Sequence, residues 1–122
     1  MPKLLILITS HIEKALEVAE AWQRTGAPGV TLIDSHGLRR LQEKSQDLEL
    51  PLFVSMASVL RQLEVTSQVI LSVVQDHELD SLIKATEDVL GDLNKPDTGL
   101  AFVLEVERVV GLSYHGRTKD TS

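Results

Sequence analysis

The chain has 122 residues, a formal net charge of -6 and no cysteine. That length suits one domain with a core of its own, and the missing thiols exclude a disulfide scaffold and a cysteine nucleophile. With acidic residues in excess and aromatics at 3%, nucleic-acid backbones, anionic membrane surfaces and base-stacking platforms are poor partners.

The opening MPKLLILITS carries an apolar run too short for a membrane span, and no small-residue cleavage site follows. It reads as a core strand, Leu4 to Thr9, of a cytoplasmic protein with no membrane insertion. Ser10 and Glu13 fit a capping box. A helix follows, with Ile12, Ala15, Leu16, Ala19 and Trp22 as its apolar stripe, and it stops at Gly26. Trp22 lies on that stripe and reads as core. Val30 to Ser35 is a second strand. His36 to Leu50 is polar and reads as a long loop. Met56, Val59, Leu60 and Leu63 suit a short helix capped by Ser55. Gln68 to Val74 is a third strand, and Asp76 is placed to cap a second long helix with the stripe Leu79, Leu82, Ile83, Thr86, Val89, Leu90 and Leu93. A turn cluster at Asn94–Gly99 leads to a fourth strand, Leu100 to Val106, and Val109 to Leu112 reads as a short fifth.

This order predicts an α+β, ferredoxin-like βαββαβ domain over residues 1–113. Its sheet is antiparallel, an insertion at about 36–66 separates strands two and three, and residues 114–122 form a polar tail. Both helices then cover one face. Yet Leu4, Ile6 and Ile8 point away from Leu5 and Leu7. Val69, Leu71 and Val73 likewise oppose Ile70 and Val74, and Leu100, Phe102, Leu104 and Val106 oppose Ala101 and Val103. An uncovered apolar sheet implies self-association. The alternative is that the helix at 55–64 folds beneath it.

Few residues suggest chemistry. Asp34, Ser35 and His36 supply the residue types of a catalytic triad, but neighbours on a strand alternate sides and cannot align. His11, His36, His77 and His115 lack metal-ligand spacing, and two sit at helix starts where exposure explains them. Arg39 and Arg40 read as phosphate contacts or as solvated charges. Asp97-Thr98-Gly99 reads as an anion-binding nest or as a tight turn feeding a strand. Neither an enzyme nor a metal site emerges.

The loop opening at Gly37 resembles the T-loop of the PII signal-transduction family. Gly99-Leu-Ala-Phe-Val-Leu-Glu-Val-Glu-Arg-Val-Val is similar to that family's G-K-I-F-V-L-P-V-E-E-A-V, and Asp97-Thr98-Gly99 resembles its B-loop. Val30 to Gly37 resembles its second strand entering the loop. Gly91 to Gly99, with Gly111-Leu112, looks like a PII-like branch rather than the nitrogen sensors proper. The resemblance implies a homotrimer whose intersubunit clefts take ATP, ADP or AMP, and a protein effector met through residues 36–64. It implies ligand-binding roles for Thr31, Gly37, Arg39, Arg40, Asp97, Thr98 and Gly99.

The chain departs from the family at its cations. Leu100 stands where the family has lysine, Gly111 and Ser113 where it has an R-x-R pair, and Arg39 takes the place of a second loop-base glycine. The loop has no tyrosine for uridylylation. The resemblance so adjusted implies weak nucleotide binding in a signalling protein; the alternative is a ligand-free trimeric adaptor.

Overall fold

The structure is a computed structural model and describes residues 1–38 and 67–111. The chain runs β1 (Pro2–Thr9), α1 (Ile12–Thr25), β2 (Thr31–Ser35), β3 (Ser67–Gln75), a short 3₁₀ turn (Asp76–Glu78), α2 (Leu79–Leu90) and β4 (Leu100–Glu105). The four strands form one sheet in the order β2-β3-β1-β4. Every neighbouring pair is antiparallel. This is the expected ferredoxin-like α+β arrangement.

Register fixes which face each side chain meets. Leu5 pairs with Ser72 and Val103, and Leu7 pairs with Ile70 and Ala101, all on the helix side. There Leu5, Leu7, Ile70 and Val74 join Ala15, Val18, Ala19, Trp22 and Leu82 in one buried core. The indole N–H of Trp22 donates to Thr86 Oγ1 at 2.7 Å, and that hydroxyl donates to the Leu82 carbonyl at 2.8 Å. A polar edge on a fully buried ring is thereby satisfied, and α1 is tied to α2.

The opposite face carries Leu4, Ile6 and Ile8 from β1, Val69, Leu71 and Val73 from β3, Thr31 and Ile33 from β2, and Leu100, Phe102 and Leu104 from β4. Its β4 members are exposed, Leu100 by 59% and Leu104 by 51%. No described element packs on it. The helix placed at 55–64, with its Ser55 cap, lies outside the described residues, as do most of the loop and the tail.

Several local expectations are corrected. The N-cap of α1 is His11, with no side-chain cap bond, so Ser10 and Glu13 form no capping box. Instead Thr9 Oγ1 accepts the His11 backbone N–H at 3.1 Å. Asp76 opens the 3₁₀ turn rather than capping α2; the turn is entered through the Gln75 N–H, which donates to Glu78 Oε1 at 2.8 Å. In α1 the buried stripe includes Val18, while Leu16 is 61% exposed and Ile12 is also exposed. Val109 to Gly111 is not a strand.

The Trp22–Thr86 pair gives a direct test. Thr86→Val leaves the buried indole N–H without an acceptor, which costs about 1–3 kcal/mol. We expect a lower urea midpoint with an unchanged m-value. A wild-type midpoint would mean that the bond contributes nothing.

Candidate functional site

The turn before β4 is the best-defined polar feature among the described residues. Asp97 adopts the left-handed backbone conformation at φ 64°, which aspartate tolerates better than most side chains. Thr98 is buried, and its carbonyl accepts from Thr9 Oγ1 at 3.0 Å. The Asp97 carbonyl accepts from His11 Nε2 at 2.8 Å. A carbonyl only accepts, so the imidazole carries its proton on Nε2. On the other side of that ring, Nδ1 lies 3.7 Å from Glu13 Oε2. The β1–α1 junction therefore grips the turn at two successive carbonyls.

Gly99 completes the fit. A Cβ there would stand 3.2 Å from the Ile8 carbonyl oxygen and 3.4 Å from Leu7 Cδ1. The obstruction is backbone of the β1–β4 ladder and yields little. Gly37 differs, since a Cβ there meets no described atom within 4 Å.

Across the sheet, β2 enters the loop through paired polar groups. Gln68 Nε2 donates to Asp34 Oδ1 at 2.5 Å, and the Ser35 and Ser67 hydroxyls share a hydrogen bond at 2.7 Å. Asp34 and Ser35 are thus bonded to β3 rather than to His36, which agrees with rejecting a triad. His36 Nδ1 is buried with no partner among the described residues. No cluster of three metal-ligating side chains occurs among those residues.

Asp97, Thr98 and Gly99 are brought together, but Thr31 and Gly37 are not brought to them. Thr31 lies on the row Thr31–Leu71–Ile6–Phe102. At about 4.8 Å per strand, the two edges of that row are about 14 Å apart. Thr31 belongs to the β2 edge, and the turn feeds the β4 edge. Arg39, Arg40 and Ser113 lie outside the described residues. Leu100, in the place of the family's lysine, faces the open side of the sheet. Sequence reasoning missed Thr9 and His11. The only available signal was a threonine on the buried parity of an apolar strand.

No family model matches the sequence, and no curated protein matches it. Solved structures do match. The chain is similar to a nitrogen regulatory PII-like protein from Thiomonas intermedia K12, solved with ADP, AMP and bicarbonate. Identity is 14%, the TM-score is 0.51, and the match covers 85% of this chain and 86% of that one. It is also similar to Arabidopsis thaliana PII bound to citrate, at 18% identity and a TM-score of 0.59 over 99% of this chain and 92% of that one. The fold is therefore that of the PII-like proteins, as the B-loop and T-loop resemblances imply. No helix among the described residues is long and apolar enough to cross a membrane.

At Gly99 the fit makes a quantitative demand. Gly99→Ala forces a methyl group against the Ile8 carbonyl, and such overpacking costs about 1–3 kcal/mol. Gly37→Ala is expected to stay within about 0.5 kcal/mol of wild type. Equal midpoints for both variants in chemical denaturation would contradict this difference in packing.

Proposed function

We propose that the chain is a non-enzymatic PII-like signalling protein. It assembles as a homotrimer over the open sheet face, takes an adenine nucleotide between subunits, and addresses a protein effector through residues 36–64. One observation carries this reading: the two halves of the candidate site occupy opposite edges of a single sheet whose other face is apolar and covered by no described element. A neighbouring copy supplies the missing half as it buries that face. The adenine nucleotides bound by the Thiomonas protein support the ligand class.

The missing cations set the affinity. Each lost charge-assisted bond forfeits roughly 1.5–3 kcal/mol. ATP is penalised most and AMP least. Arg40, with Arg39, Thr31, Gly37 and the Asp97–Gly99 turn, makes the remaining contacts. A ligand-free trimeric adaptor is the second reading, favoured by the exposed Leu100 where a phosphate-neutralising lysine would stand.

Two measurements test the proposal. Light scattering is expected to give a trimer for the wild type and a smaller species for Leu104→Glu, which sets charge on the apolar face opposite the helices. A monomeric wild type would overturn the assembly. Calorimetry is expected to show AMP binding that Arg40→Ala abolishes. Micromolar ATP binding indifferent to Arg40→Ala would overturn the site assignment, and the absence of any adenine nucleotide binding would leave the adaptor reading.

A further inference from the structure

We infer that His11 is a positioning residue of the anion-receiving turn. Its Nε2–H fixes the direction of the peptide that presents the Thr98 N–H to a ligand. This inference rests on the reading above, in which the turn receives an adenine nucleotide.

The argument starts from the peptide plane. The described residues contain no cis peptide bonds, so each N–H in the turn is directed opposite to the carbonyl of its own peptide group. The Asp97 carbonyl is drawn to His11 Nε2 at 2.8 Å, and the Thr98 carbonyl to Thr9 Oγ1 at 3.0 Å. Both oxygens therefore face the β1–α1 junction. The N–H groups of Thr98 and Gly99, which belong to those two peptides, face away from it. Neither has an acceptor among the described residues. Two successive outward N–H groups are what a phosphate or carboxylate oxygen requires.

The two grips are unequal. The Thr9 hydroxyl is buried and held from both sides, donating to the Thr98 carbonyl and accepting the His11 N–H. The His11 ring is 37% exposed, and its only described polar partners are the Asp97 carbonyl and Glu13. Asp97 itself sits at positive φ, a conformation that persists only while its surroundings hold it. Without the Nε2 donor, the Asp97–Thr98 peptide is free to turn over. That motion replaces an N–H at the ligand by a carbonyl oxygen, so attraction for an anion becomes repulsion. His11 thus acts on the ligand through the backbone, without touching it.

The test uses the full chain, with AMP titrated by calorimetry and by ¹⁵N amide spectra. His11→Phe keeps a planar ring and removes the donor. His11→Gln keeps an N–H at similar reach. His11→Ala serves if the phenylalanine variant folds poorly. We expect His11→Phe to bind AMP about tenfold more weakly, the equivalent of one hydrogen bond. Its thermal midpoint should stay near that of the wild type, and His11→Gln should recover most of the affinity. The Thr98 and Gly99 amide signals should respond to AMP in the wild type and in His11→Gln, and lose that response in His11→Phe. Wild-type AMP affinity in both His11→Phe and His11→Ala would overturn the positioning role and leave the nucleotide reading intact. Equal losses in His11→Phe and His11→Gln would also overturn it, because the donor would then not be the active feature. A wild type that binds no adenine nucleotide would overturn the nucleotide reading, and this role with it.

Discussion

β1 lies between β3 and β4 and pairs with both along nearly its whole length. Its side chains meet two different demands on its two faces. Leu5, Leu7 and Thr9 are buried beneath the helices, while Leu4, Ile6 and Ile8 belong to the face that no described element covers. A slip of one residue in either pairing would exchange these sets. The exchange would lift the Thr9 hydroxyl away from the Thr98 carbonyl and move the turn with it. Core, open face and candidate site therefore share one register.

Much of this was legible because period-two and period-3.6 patterns are local. The alternation of Leu4 to Ile8, Val69 to Val74 and Leu100 to Leu104 identified both sheet faces. The stripe from Leu79 to Leu93 located α2. Trp22 was read correctly as core. The phase of α1 was harder, because Leu16 and Val18 are both apolar and only packing chooses between them. Ala15, Ala19 and Ala21 beside Trp22 bring α1 close to its neighbours and bury Val18, which turns Leu16 outward.

The errors at the caps have a common cause. Ser10 and Glu13 match a capping pattern, but the helix begins one residue too late for Ser10 to serve. Thr9 takes over the neighbouring N–H because it is already held by Thr98, 89 residues further along. No local motif contains a contact of that span. The Asp97-Thr98-Gly99 motif was visible as a turn, and only the resemblance suggested a ligand-binding role for it. Why position 99 must be glycine was not visible, because the obstruction belongs to the Ile8 carbonyl in another strand. At Gly37 the resemblance alone singled out the residue, and the described packing places no steric demand on it.

The central place of β1 also bears on how the chain reaches its fold. Ile8 finds its partner at Leu100, and Lys3 bonds to Glu105, a separation of 102 residues. Even the nearer partner, β3, begins at Ser67. The strand that organises the sheet thus precedes both of its partners in the chain and pairs with neither until a long stretch of sequence has followed it. Topologies dominated by such distant contacts fold slowly, because loop closure is opposed by entropy before pairing compensates for it. In the interval Leu4 to Ile8 is an apolar segment with unsatisfied edges, the kind of species that chaperones shield. The pairing that gives this small sheet its order thereby leaves β1 the strand that waits longest for its partners.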